Sequence, residues 1–373
     1  MVSRVEPVSE GLVAARRVPI SLDRLRPVVL SALPGKPAVS VLITCYNYGA
    51  YVGDAIESAL NQSYPPAEII VSDDGSSDNS CEVIEGYAKR HPRIKLLRNA
   101  HGGMAACLNA GYRSSLGEIV CLLDADDVFL PRKLELVVGA FRANPQSGFA
   151  AHPALLIDHR GRRRGVCPLG ALPEGDCSAD TFRNAGVLMG LPPTTNLSLR
   201  RAIGDRIFPI PSEFTGYAEQ VIHRLGPFMT PLSAVTEALA EWRQHGMNDQ
   251  RATHVSAARA ERELVVMESL WRIQKEYLET IDPGLAQEFP PLDHSALYRK
   301  LRYTQARLAN TGEAEQRYAE LFAYDLGGPA QNWFWRFSRL LPRSIFSRAV
   351  DLLMTQSVWK EFLVWLRGFY NGR

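Results

Sequence analysis

Three apolar, β-branched runs separated by helix-length segments constrain this chain more than any other feature. Val39-Ser40-Val41-Leu42-Ile43-Thr44, Glu68-Ile69-Ile70-Val71-Ser72 and Ile119-Val120-Cys121-Leu122-Leu123 have the near-continuous hydrophobicity of strands buried on both faces. A shorter run, Ile94-Lys95-Leu96-Leu97, lies between the second and third. Residues 51–63, with Ala55, Ile56, Ala59 and Leu60 at helical spacing, read as a helix, as do 79–90 and 103–115. This alternation predicts βαβ units and a mostly parallel α/β sheet flanked by helices.

In such a sheet, ligands bind beyond the carboxyl ends of the strands. Three strand ends here carry Tyr46-Asn47, Asp73-Asp74-Gly75-Ser76-Ser77-Asp78 and Asp124-Ala125-Asp126-Asp127. Each has a bland reading when taken alone. Aspartate is common in turns, and Ser77 or Asp78 suits a helix cap. Gathered on one rim, the three point to a nucleoside diphosphate. A hard divalent cation (Mn2+ or Mg2+) held by one or two carboxylates can bridge diphosphate oxygens. Tyr46 offers a ring for base stacking and Asn47 a neighbouring polar contact. One acid of the Asp73-Asp74 pair can accept an imide N–H.

The formal net charge of +2 argues against a nucleic-acid partner. Six scattered cysteines lack CxxC pairs, and Cys45 and Cys121 sit in apolar strand-like runs, which suits a reducing compartment. The first residues show no signal-peptide pattern, and no run of 18 apolar residues occurs. A cytoplasmic protein is therefore expected.

Thr44-Cys45-Tyr46-Asn47, Asp73-Asp74-Gly75-Ser76-Ser77-Asp78, Asn109-Ala110-Gly111 and Leu123-Asp124-Ala125-Asp126-Asp127 together resemble the inverting family 2 glycosyltransferases of the GT-A fold. The resemblance covers about 38–248. It implies Tyr46 and Asp74 at the base, and Asp126 and Asp127 at ribose and metal, with Asp124 close by. It also implies Gly102-Gly103 in a loop near the nucleotide. Relatives often carry Arg where this chain has Leu108. They also show Glu-Asp at a helix start, where this chain has Glu219-Gln220. An amide cannot act as a base, so Glu219 becomes the candidate general base, with Glu213 as an alternative. Trp242-Arg243-Gln244-His245-Gly246-Met247-Asn248 resembles a closing segment that would bring His245 to metal or diphosphate and Arg243 to phosphate.

The expected organisation is an N-terminal extension (1–37) and a GT-A domain (38–250). The domain divides into a nucleotide-sugar half to about 130 and an acceptor half beyond it. A helical extension (251–330) and a basic aromatic tail (331–373) follow. Arg160–Gly165 reads as a hairpin tip, and Pro192–Arg200 as a loop entering a strand. Leu264, Met267, Leu270, Ile273, Tyr277 and Ile281 repeat at helical spacing, and Asp293 is a candidate cap for a helix reaching about 309. In the tail, Trp333, Phe334, Trp335, Phe337, Phe346, Trp359, Phe362 and Trp365 alternate with basic residues, around Pro342 as a helix break. That composition suits peripheral contact with an anionic membrane; packing on the protein is the alternative. The expected partners are a nucleotide-sugar donor and a glycan or lipid-linked acceptor. The rival readings are a nucleotidyltransferase, whose usual Gly-rich basic loop is missing after the first strand, and a non-catalytic nucleotide- or glycan-binding module.

Overall fold

A computed structural model of the chain describes residues 24–25, 27–167, 171–245, 256–322 and 334–354, the side chains of 351–354 excepted. Its first half runs β1 (Val39–Cys45), α1 (Val52–Leu60), β2 (Glu68–Asp73), α2 (Ser80–Arg90), β3 (Ile94–Arg98), α3 (Gly103–Ser114) and β4 (Ile119–Asp124). Then come β5 (Val128–Phe129), α4 (Lys133–Ala143), β6 (Phe149–Ala151), β7 (Ala154–Asp158), β8 (Arg163–Val166) and α5 (Ser178–Arg183). Next are β9 (Leu197–Arg200), α6 (Arg201–Ile207), α7 (Glu219–Met229), β10 (Leu232–Ala234) and β11 (Ala240–Gln244).

The main sheet has the order β10-β6-β9-β4-β1-β2-β3. Strands β1 to β4 are mutually parallel, and β9 is an antiparallel insertion between β4 and β6. Alternate residues of the doubly buried β1 feed two separate cores. Val41 and Ile43 pack with Val52, Ile56 and Val137 on one face, while Leu42 packs with Leu108, Ile222 and Val221 on the other. Burying such a side chain stabilises the fold by roughly 1.5–3 kcal/mol. Gly111 lets α3 lie directly on the sheet, since a Cβ there would collide with the Leu42 side chain. Asn109 serves packing too: its amide donates to the Ile210 carbonyl and accepts from the Ile210 N–H, both at 2.7 Å.

A second sheet, ordered β5-β11-β7-β8, stands beside the ends of the first. Strand β11 pairs parallel with β7, and β8 returns antiparallel on the outer edge, so the expected hairpin is present, its tip confined to 159–162 and 163–165 already in β8. Pro192–Arg200 likewise enters β9 through a short 3-10 turn. All six cysteines are buried and free, those of β1 and β4 included.

Helices α8 (Ala257–Ile281), α9 (Pro283–Glu288), α10 (Ala296–Ala309) and α11 (Ala314–Leu321) follow, then α12 (Arg343–Met354) after Pro342. The α8 stripe buries Met267 and Leu270 as its spacing required. One expectation is corrected. Asp293 lies in a 3-10 turn, and Ser295 occupies the cap position of α10. Separately, the N-terminal extension packs on the domain that follows it: Leu25 and Leu30 are buried and the Val28 N–H donates to the Met229 carbonyl at 2.6 Å. In the tail, Trp335, Phe346 and Val350 pack with Tyr303 and Leu321, while Phe337, Leu340 and Ile345 remain exposed. Trp333 and everything after Met354 lie outside the described residues. No described helix is long and apolar enough to cross a membrane.

Candidate active site

Register aligns the three strand ends. Thr44 of β1 pairs with Asp124 of β4, and Cys45 with Asp73 of β2. The segments that follow therefore leave the sheet side by side.

Beyond β4 the chain turns tightly, with the Asp127 N–H donating to the Asp124 carbonyl. Asp124 accepts from Thr44 Oγ1 at 3.0 Å. Asp127 is only 2% exposed and accepts from Thr195 Oγ1 at 2.5 Å and from the Arg243 backbone N–H at 2.9 Å. Asp126 Oδ2 lies 3.0 Å from His245 Nε2, and the Asp126 carbonyl accepts from Arg243 Nε at 2.8 Å. His245 stacks on Tyr51, and Arg243 reaches across that ring to Asp54 at 2.8 Å. Strand β11 thus closes the acidic turn from the second sheet, which is how residues about 120 positions apart meet. Gly246 and the rest of that motif lie outside the described residues.

Acids packed this closely resist ionisation. Burial, then the neighbouring charges of Asp126 and Glu219, push the Asp124 carboxyl up to about 7. Burial and the same kind of crowding by Asp126 and Asp124 hold Asp127 well above the usual range. The nearby Lys133 amine is fully buried, which lowers it to about 7; it donates to the Thr195 carbonyl at 2.5 Å and sits 3.6 Å over the Phe129 ring.

The β2 end is built differently. Asp73 accepts from the backbone of Gly75 and Ser76, so it shapes the turn. Both Asp74 oxygens are held by the α3 entry loop: Gly102 N–H and Gly103 N–H each donate at 2.9 Å, and His101 Nδ1 approaches to 2.9 Å. His101 stacks on Tyr46, with centroids 4.5 Å apart, and the Tyr46 ring remains 43% exposed. Gly103 has φ +80, and a Cβ there would lie 2.6 Å from Thr215 Cα, so this entry admits only glycine comfortably. Asn47, itself at φ 56, accepts from the Ser77 N–H at 2.8 Å and ties the first two loops together. Its amide is a brace between turns. Asp78 binds the N–H groups of Gly49 and Ser80, the structural duty its sequence position suggested.

Glu219 opens α7 and is 4% exposed. Burial raises its pKa, and its charge reaches Asp124 strongly enough to contribute to that acid's shift. Gln220 Nε2 donates to Glu219 Oε1 at 3.3 Å. Glu213 pairs with Arg272 at an exposed position.

The donor set can be tested against a divalent ion. Among the described residues no group of three or more His, Cys, Asp or Glu side chains could hold a metal unaided. The mutual repulsion that raises Asp124 and Asp127 is nevertheless what a cation relieves, and Asp126 with His245 supplies oxygen and nitrogen together. That fits an ion bound through one or two carboxylates and completed by diphosphate oxygens.

Comparison with known proteins identifies the family. Residues 40–167 match the model of glycosyl transferase family 2. An uncharacterized glycosyltransferase of Nostoc sp. is 34% identical over 224 residues, covering 60% of this chain and 68% of that protein. The chain is a family 2 glycosyltransferase. A chondroitin synthase of Pasteurella multocida is 33% identical over 129 residues, which cover 35% of this glycosyltransferase but only 13% of the synthase. Among solved structures, S. aureus TarS 1–349 in complex with UDP-GlcNAc aligns with a TM-score of 0.53 at 16% identity, covering 87% of this chain and 91% of that one. That likeness is one of fold, and the GT-A architecture implied by the family resemblance is borne out.

Sequence reasoning missed Thr195, Lys133, Asp54, Tyr51 and His101. Only Thr195 carried a signal, the Pro192-Pro193-Thr194-Thr195-Asn196 run before β9. Its partners depend on an antiparallel strand that no local pattern announces.

Proposed function

We propose that this glycosyltransferase moves a sugar from a nucleotide-sugar donor, a uridine diphosphate sugar, to a glycan or lipid-linked hydroxyl with inversion. The observation that carries the reading is the registered row of strand ends, from which Tyr46, Asp74 and the Asp124–Asp127 turn follow side by side, with Asp124 feeling the charge of Glu219. The likeness to a chondroitin synthase supports a role in polysaccharide or glycoconjugate assembly.

In this reading the base stacks on Tyr46, whose ring His101 steadies, and the remaining acceptor capacity of Asp74 takes the imide N–H. Asp124 faces the ribose. Arg243 holds the turn carrying Asp126 and adds positive charge beside the diphosphate. Asp126 and His245, with Asp127 behind them, would hold Mn2+ or Mg2+, which when bound offsets charge on the leaving diphosphate. Glu219 takes the proton from the acceptor oxygen as that oxygen attacks the anomeric carbon from the face opposite the departing group. One direct displacement inverts the configuration.

The test is thermal stability with UDP, GDP, ADP and TDP, each with Mn2+, Mg2+ or chelator. Ligand at about a hundredfold excess over Kd adds about 2.7 kcal/mol to stability. The expected result is a gain largest for UDP and dependent on metal. Equal or absent gains across the panel would reject the donor assignment.

For the tail, we place a peripheral membrane contact on Phe337, Leu340 and Ile345, which stay exposed beside Arg336, Arg339 and Arg343. The protein should float with phosphatidylcholine–phosphatidylglycerol liposomes, and L340D/I345D should lower the floated fraction severalfold. Flotation unaffected by that double change would refute the contact.

A further inference from the structure

The β7–β8 hairpin is the most concentrated basic surface near the site, and the donor reading makes no use of it. Its tip and outer strand carry Arg160, Arg162, Arg163 and Arg164, all exposed. One anchor organises the turn. Asp158, 7% exposed, accepts from the backbone N–H groups of Arg160 and Arg162 at 2.9 and 3.0 Å. It also accepts from Arg162 Nε at 2.9 Å and an Arg164 Nη at 2.6 Å. Arg163 pairs with Glu241 at 2.8 Å. Among the described residues Arg160 meets no carboxylate within ion-pair distance, and its Nε lies 3.2 Å from His159 Nε2. Four guanidiniums therefore face two carboxylates, leaving an excess of two positive charges on a solvent-facing edge.

The hairpin is also aimed. Ile157 of β7 is registered with Arg243 on one side and with Arg163 on the other. Arg163 thus stands in the same cross-sheet row as the arginine that braces Asp126. A Cβ on Gly161, at φ +75, would lie 3.8 Å from a terminal nitrogen of Arg243, so the tip abuts the active-site turn. Glu241, which holds Arg163, lies two residues before Arg243 on β11 and shares its face. Because Asp158 fixes the backbone at Arg160 and Arg162, the exposed turn that carries these guanidiniums is preorganised beside Arg243.

We propose that the β7–β8 hairpin is an acceptor subsite for a negatively charged glycan, one bearing carboxylates or phosphodiesters, with Arg160 and Arg163 making the contacts. The inference rests on the transfer reading, since it is nearness to Arg243 and Asp126 that makes the bound glycan an acceptor. Charge recognition here selects the chain and orients it, while the hydroxyl to be glycosylated lies toward Glu219.

The test uses the full chain and the double variant R160Q/R163Q, which leaves the Asp158 anchor intact. Retention is measured on immobilised hexuronate-containing oligosaccharides, glycerol-phosphate oligomers and a neutral glucan, at low and high salt. The UDP-dependent thermal gain is recorded on the same samples. The expected result is retention of one charged class over the neutral glucan, weakened by salt and reduced about tenfold in the variant with the UDP gain unchanged. Which oligomer is retained identifies the charge carrier. Equal retention of charged and neutral glycans, or a variant that binds like the parent, overturns the proposal while the UDP gain still stands. A variant that instead loses flotation on anionic liposomes, with glycan retention unchanged, makes the hairpin a membrane contact and also overturns it. No UDP gain in the parent protein would sink the transfer reading, and this inference with it.

Discussion

Asp126→Asn should lower sugar transfer and donor hydrolysis about 1,000-fold, a loss of about 4 kcal/mol of transition-state stabilisation. The Asn side chain keeps the volume, and the backbone carbonyl that receives Arg243 Nε is untouched. Only the carboxylate facing His245 Nε2 is removed. After burial, the charge of Asp126 contributes most to raising Asp124 and Asp127, so the metal-free variant should melt at the same temperature or higher. Its metal-dependent thermal gain should disappear. Asp127→Asn is a poorer probe, because Asp127 accepts from Thr195 and the Arg243 backbone and its loss should loosen the turn. A D126N enzyme with parental activity, indifferent to excess chelator, would eliminate the metal role.

Glu219→Gln should reduce kcat by a factor of about 100–10,000 with the UDP-dependent thermal gain unchanged. Burial raises the Glu219 pKa above the ordinary carboxylate value, so the folded state holds its proton over a pH range in which the unfolded chain has released it. Stability from this group is present at low pH and lost as pH rises from the unfolded pKa through the raised folded one. A neutral isostere regains it, and the variant should be at least as stable as the parent at neutral pH. Activity runs the other way. The parent should lose turnover as pH falls through the raised pKa, and that acid limb should be missing from the variant's residual rate. If the variant keeps more than about a tenth of parental kcat, the base lies elsewhere. Gln220 then becomes relevant only as the donor to the Glu219 carboxylate.

The strand ends were legible because both signals that place them are local. Val39–Thr44 and Ile119–Leu123 are doubly buried, which forces near-continuous hydrophobicity, and their polar residues follow without a gap. Tyr46, Asp74, Asp124 and Asp126 could therefore be placed on one edge from spacing alone. The duties of individual side chains were less legible. Asp74 and Asn47 have acceptor chemistry suited to a ligand, yet the fold gives much of that capacity to the N–H groups of Gly102, Gly103 and Ser77. No pattern at Asp74 foretells the conformation of a loop nearly thirty residues later. Thr195 and Lys133 were invisible for a stronger reason. A buried lysine under an acidic turn exists only once β9 inserts antiparallel beside β4 and α4 folds across it. The tail shows the converse. Its aromatic and basic composition suits a bilayer surface, yet Trp335 and Phe346 are spent on Tyr303 and Leu321, because composition does not say which face finds a protein neighbour.

The entry to α3 joins two parts of the molecule that the sequence presents as separate. Met104 N–H donates to the Thr215 carbonyl and Ala105 N–H to that of Phe214, so residues 214–215 plug the end of the helix whose loop clasps Asp74. Four residues later the same strand of backbone arrives at Glu219. A short tether, pinned where α3 begins, therefore sets the reach of Glu219. Lengthening or shortening it would alter the span between Tyr46 and Glu219, which under the proposed function makes this stretch a ruler for the distance from nucleobase to incoming hydroxyl.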